Sequence, residues 1–355
     1  MKKVKKSLHV LLIFAILIIA FGVPALAEGA SPEDAVNDFF DLLPQDMREY
    51  AGTALGIDAL FYEVISAAAG LKGRIAGFFI TLVGVAVFIV LLNNLNSRLS
   101  PTVKSFGSVI ASSAVFCHVF SLVKEVALSL GEIRGFFSSV LPLFVSVTAM
   151  GGGTFTAGTG AFGTALTLQL TGLFTEEVLG SLCVVMVLGG LLSSMQGFSL
   201  TIARGVKNFF TRGVGLVATV LLGTLAMQTL ISSCNDNMAI RAARYAVSGF
   251  VPVVGSTVGG ALSTLVGSVA YAKGVIGAGA ISVIVVMAVT PLVLLLLYRF
   301  CFFLVTSFLN TVGVGDGAAC IAGAADALDA LIAVYAVSMV TYVLEIAVLL
   351  AVSVG

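Results

Sequence analysis

Apolar runs recur along nearly the whole chain, broken only by short polar, glycine-rich or proline-containing steps. A helix that crosses a bilayer needs about 20 largely apolar residues. Runs of that kind fall at 75–95, 105–123, 136–150, 161–175, 178–202, 214–232, 251–271, 275–298 and 328–352, with a partial span at 300–312. The third and fourth are short and are joined by the glycine-rich step at 151–160, so they form a hairpin, a re-entrant pair or one broken helix. Gly151, Gly152 and Gly153 are backbone-permissive and suit a hinge or tight turn. The pattern predicts an all-α polytopic integral membrane protein with about nine transmembrane helices.

The start of the chain departs from this pattern. Residues 1–27 read as a cleavable signal peptide. Lys2, Lys3, Lys5 and Lys6 precede an apolar core, and Ala25-Leu26-Ala27 offers a small-residue cleavage site. Residues 28–72 read as a short acidic extracytoplasmic helical region, and residues 73–355 as a multi-span membrane domain. Ser31-Pro32-Glu33-Asp34 has the form of a helix start, a capping residue followed by proline and acids. Val36, Phe39, Phe40 and Leu43 then supply one apolar face. The region is too short for a robust core of its own, which places its helices on the membrane or on a partner. With this region exported, alternation puts Arg98, Lys104, Arg204, Lys207, Arg212 and Lys273 on the cytoplasmic side, as the positive-inside tendency asks. Lys72, Arg74, Lys124, Arg134, Arg241, Arg244 and Arg299 then fall outside.

The most informative stretch runs from 235 to 273. A polar turn leads into a short basic amphipathic piece holding Arg241 and Arg244, then Gly249 and a break at Pro252. Beyond it small residues recur every four positions at Gly255, Gly259, Ser263 and Gly267, beside a second row at Gly260, Thr264 and Ser268. Four-residue spacing puts each row on one helical face. Small residues on such a face let backbones approach closely in a membrane. The face therefore packs tightly on a neighbour or lines a watery path.

Composition narrows the chemistry. The chain has 355 residues, 59% of them hydrophobic and only 10% charged, with net charge zero and mean hydropathy +1.13. Soluble domains carry about 25% charged residues, so the chain lies outside that class. No lysine or arginine run suggests nucleic-acid binding. Cys117, Cys183, Cys234, Cys301 and Cys320 are scattered without a CxxC pair, which argues against a disulfide framework or zinc site. His9 and His118 are the two histidines. With the leader removed only His118 remains, which leaves almost no material for a hydrolase triad or a multi-histidine metal site. His118 is either a proton-linked group or hydrogen-bonded packing beside Ser112, Ser113 and Ser121. No cofactor or metal is expected.

Glu345 is the one acid well inside an apolar run. Holding an ionised acid at mid-bilayer costs about 2.5–3.5 kcal/mol on insertion scales, so it should face protein or water. Thr341 and Tyr342, one turn earlier, are its nearest candidate hydrogen-bond partners. Gly313-Val314-Gly315-Asp316 matches the GxGD of intramembrane aspartyl proteases, whose chemistry needs a second aspartate on a facing helix. Asp236, Asp326 and Asp329 fall in predicted loops, so that set is incomplete.

The chain resembles the stage III sporulation protein AE family of endospore-forming bacteria. The residues that carry the likeness are Met227-Gln228 closing a span, Asp236, the Arg241/Arg244 helix, and Ser248-Gly249-Phe250-Val251-Pro252-Val253-Val254-Gly255. Ala272-Lys273-Gly274 then leads into the next long span. The resemblance implies a multi-pass component of the mother-cell membrane surrounding the forespore, part of a channel between the two cells. It also implies partners: the other membrane proteins of the stage III sporulation A operon and, through them, stage II sporulation protein Q. The expected function is thus non-enzymatic, with a self-contained permease or secondary transporter as the alternative.

Overall fold

The computed structural model describes residues 31–52, 57–94, 101–150, 154–173 and 255–351, with isolated positions between 184 and 223. The leader, Gly151 to Gly153, Arg241, Arg244, Gly249, Pro252 and, apart from those isolated positions, the predicted spans at 178–202 and 214–232 lie outside the described residues. Seven helices make up the rest: α1 (Pro32–Leu42), α2 (Gln45–Gly52), α3 (Ile57–Asn94), α4 (Pro101–Met150), α5 (Thr154–Leu173), α6 (Gly255–Thr311) and α7 (Gly315–Ala351). Among the described residues the architecture is all-α. Among the described residues four helices are long and apolar enough to cross a membrane, at Ala59–Asn94, Ser113–Met150, Gly267–Thr311 and Ile321–Leu350.

α1 starts where the capping pattern places it. The Asp34 N–H donates to Ser31 Oγ at 3.2 Å and the Ser31 N–H donates to Asp34 Oδ2 at 2.8 Å. This reciprocal box satisfies two amides that a helix start leaves open. Ala35, Phe39 and Leu43 are buried in the common core, so the acidic region is seated on the bundle. α3 runs unbroken through residue 72, and no change of element marks the expected boundary there.

Several expected breaks are absent. The spans expected at 105–123 and 136–150 belong to one 50-residue helix, α4, although Lys124, Glu125, Glu132 and Arg134 separate them. The span at 251–271 from residue 255 on, the span at 275–298 and the partial span as far as residue 311 are likewise one 57-residue helix, α6. Arg74 on α3 holds Glu125 on α4 through two bonds of 2.9 and 2.6 Å. Arg299 on α6 holds Asp329 on α7 at 2.5 and 3.1 Å. Asp326 and Asp329 therefore sit in helix α7, not in loops. The glycine-rich step shrinks too, because α5 is already helical from Thr154.

α6 is the central element, packed by α7, α3, α4, α2 and α1. Phe78 of α3 stacks on Tyr298 at 4.1 Å and meets Phe302 edge-on at 5.3 Å. Gly279 lets α1 and α2 settle onto α6: a Cβ there would come within 2.7 Å of the Phe39 ring and 3.1 Å of the Ala51 carbonyl oxygen. The turn between α6 and α7 has the geometry that ends many helices. The Val314 N–H donates to the Leu309 carbonyl and the Gly313 N–H to the Asn310 carbonyl. Gly313 takes φ +81° there, a value that glycine adopts without a Cβ penalty.

Candidate functional site

The expected buried acid is the centre of a polar seam between α5 and α7. Glu345 is 0% exposed. Thr164 Oγ1 donates to its Oε1 at 2.8 Å and Thr167 Oγ1 to its Oε2 at 3.4 Å. One turn along, the Tyr342 hydroxyl donates to Thr171 Oγ1 at 3.1 Å, and that hydroxyl donates in turn to the Thr167 carbonyl at 2.8 Å. Thr164, Thr167 and Thr171 stand three and four residues apart, so they form one stripe on α5. Tyr342 and Glu345 present the matching stripe from α7.

Glu345's partners are therefore not those adjacent in sequence. Thr341 bonds back to the Val337 carbonyl of its own helix at 2.7 Å, the usual way a buried threonine satisfies itself within a helix. Tyr342 points past Glu345 to Thr171. The threonine stripe was the missed signal, readable in the spacing of 164, 167 and 171 but overshadowed by the glycines around it. Gly172 leaves room for Arg134 of α4, whose guanidinium occupies the place a Cβ would take. Farther along α7 the Tyr335 hydroxyl lies 3.2 Å from Ser129 Oγ and 3.4 Å from the Ala288 carbonyl. Polar side chains thus tie α7 to α5, α4 and α6.

The other expected residues are placed separately. Gly255, Gly259, Gly260, Ser263 and Thr264 lie within α6 and share its helical backbone, while their surroundings lie outside the described residues. At Gly267 a Cβ would meet open space, so no described helix packs closely there. Ser268 is half-buried. His118 is far along α4 from the seam: its Nδ1 lies 3.0 Å from the Ala114 carbonyl and its ring is 5.4 Å from Phe78. Asp316 and Asp329 share α7, about 20 Å apart along its axis, and so do not face each other from two helices. Among the described residues no cluster of three or more His, Cys, Asp or Glu could hold a metal ion.

At the other end of the chain, the Tyr50 hydroxyl donates to Glu63 at 3.1 Å and fastens α2 to α3. That bond, with burial behind it, raises the phenol above its ordinary range. The Ser31 amide and hydroxyl hold the Asp34 carboxyl below the usual carboxylate range.

The family described as Stage III sporulation protein AE matches over residues 51–353. Stage III sporulation protein AE of Bacillus subtilis (strain 168) is 22% identical over 275 residues, covering 74% of this chain and 65% of that protein. The match therefore spans a little under two thirds of that relative's length. No solved structure is matched.

Proposed function

Because the chain belongs to the stage III sporulation protein AE family, we propose that it is a non-enzymatic membrane component of a channel between mother cell and forespore. The observation that carries this is the family match over 51–353, which takes in all of α3 to α7. The helices described are consistent with a scaffold, since Arg74, Arg299 and Glu345 each bond a side chain of a neighbouring helix. Its partners are then the other membrane proteins of the stage III sporulation A operon and, through them, stage II sporulation protein Q. Its place is the mother-cell membrane around the forespore.

The test is complementation. A Bacillus subtilis strain lacking its Stage III sporulation protein AE is given this chain and scored for heat-resistant spores, and the chain is purified from engulfed cells. Restored spores and co-purification of the operon's membrane proteins are the expected result. A chain that reaches the membrane at normal level but recovers neither spores nor those partners sinks the proposal. Glu345 favours one second reading, a secondary transporter, because a fully buried acid among hydroxyls is the kind of group that transporters place inside the membrane. Solute accumulation against a gradient in liposomes holding this chain alone, lost in Glu345→Gln, would select that reading.

A further inference from the structure

We propose that α6 pivots at Pro291 and that Tyr335 of α7 is the latch that fixes the pivot. Pro291 lies inside the 57 residues of α6. Proline brings no N–H, so the Met287 carbonyl, four residues earlier, has no helical donor, and the ring presses against it. Sharp bends in helices arise at such positions. Where a helix crosses a membrane, carbonyls released near a proline are satisfied by groups from neighbouring helices.

One such group reaches this turn. Tyr335 is 0% exposed, and its hydroxyl donates to the Ala288 carbonyl at 3.4 Å. That carbonyl is the next after Met287 and lies three residues before Pro291. The same hydroxyl is 3.2 Å from Ser129 Oγ of α4. A carbonyl can only accept, so the single phenolic proton is spent on Ala288 and Ser129 is the donor to Tyr335. The links Ser129–Tyr335–Ala288 therefore run one way, from α4 through α7 into the proline turn of α6. The last link is long for an O–H···O bond, so it steadies the turn and can let go.

The two arms of α6 have different neighbours. About 18 Å along the axis before Pro291, Gly279 receives Phe39 and Ala51. About 12 Å beyond Pro291, Arg299 holds Asp329, and the adjacent Tyr298 stacks on Phe78. α7 has no proline and follows both arms, with Asp329 on one and Leu350 against Gly277 on the other. A change of about 20° at the pivot carries Gly279 sideways by about 6 Å, enough to withdraw the seat of α1.

Amide exchange of the full-length chain in detergent, read by mass spectrometry, tests the latch in the native protein, Tyr335→Phe, Pro291→Ala and the double variant. Tyr335→Phe should speed exchange at 288–295 severalfold, while 80–90 of α3 keep the native rate. The double variant should exchange at 288–295 no faster than Pro291→Ala alone, because alanine at that position returns the N–H and closes the turn. Ser129→Ala leaves the tyrosine in place, should act in the same direction, and takes the place of Tyr335→Phe throughout if that variant does not fold. An unchanged rate at 288–295 in the variant read overturns the latch. An increase of full size in the Pro291→Ala background, or one that extends equally to 80–90, overturns its link to the proline.

Discussion

α3 and α6 contain equally apolar stretches, yet 28% of that stretch is buried inside the protein in α3 and 56% in α6. Hydropathy alone does not separate them. The difference lies in what covers each helix. α6 is enclosed by five other helices, and its contacts are specific: a stacked ring at Tyr298, a small site for Phe39 at Gly279. The second half of α3 turns Ile80, Val87, Phe88 and Leu91 outward, where any apolar medium will do. An apolar run states that water is excluded. It leaves open whether protein or lipid does the excluding, and the two make different demands on shape. Protein neighbours are close-packed and register a change of one methylene, whereas a fluid surround adapts to it.

Adjacent residues put this contrast to its hardest test. Phe302 is 0% exposed and Phe303 is 58% exposed, one facing the core and the next facing out. Phe302→Ala should cost about 3–5 kcal/mol, the range for deleting a buried ring. Phe303→Ala should stay within about 0.5 kcal/mol, as surface changes do. Denaturant unfolding in one detergent measures both. Equal losses would mean that α6 meets the same surroundings on both sides, and the comparison would fail.

A pair of glycines asks the question in the opposite sense, by adding volume. At Gly279 a Cβ alone would crowd the Phe39 ring and the Ala51 carbonyl, while at Gly84 of α3 nothing stands within 4 Å. Gly279→Leu should cost about 1–3 kcal/mol through overpacking and should loosen α1 and α2, so that trypsin cuts faster after Arg48. Gly84→Leu should be neutral or stabilising, since leucine gains up to about 1 kcal/mol over glycine in a helix. Thermal melting and the digestion rate decide.

These sites also mark what a reader of the bare sequence can and cannot reach. The outer half of α3, the body of α7 and the α1 cap are written locally, in runs and spacings within one helix. In the bare sequence α4 and α6 read as separate pieces because charges in a window look like loop. The partners of two of those charges come from 51 residues away for Arg74 and Glu125 and 30 residues away for Arg299 and Asp329. Glu345 stood out as a buried acid for the same local reason, but its partners Thr164 and Thr167 are 181 and 178 residues distant. A helix sequence declares a polar stripe. It does not declare which helix will face it.

α5 carries the comparison to a third case, because it is shorter than α3 and α6 and studded with glycine and threonine. Hydroxyls hold it where shape holds α6. Thr164→Val removes the shorter bond to Glu345 while keeping side-chain volume, and should cost about 0.6–1.7 kcal/mol, the span measured for hydrogen bonds between membrane helices. Thr167→Val, whose bond is longer at 3.4 Å, should cost less. Melting temperatures of the two variants settle the order. A larger loss at Thr167 would mean that Glu345 is oriented by something other than the stripe.

The smallest effect concerns the cover over α6 at Gly279. α1 is exposed along its acidic side, so its capping box has little energetic weight, but it sets how firmly the first turn closes. The Asp34 carboxyl is held below its ordinary value chiefly by the Ser31 amide, with the Ser31 hydroxyl second. A depressed carboxyl contributes stability above its unfolded pKa, and that contribution fades as pH falls through the lower folded value. Pepsin reads this window, since it works in acid and favours sites such as Phe39-Phe40. Above the ordinary carboxylate range the native chain should be cut more slowly than Asp34→Asn, and the two rates should converge as pH falls through the lowered folded value. Taking the ratio of the two chains removes the enzyme's own pH profile. A ratio that stays flat would show that α1 is held on α6 by the Phe39 contact alone, which would place the whole of α6's shielding on packing and none of it on the cap.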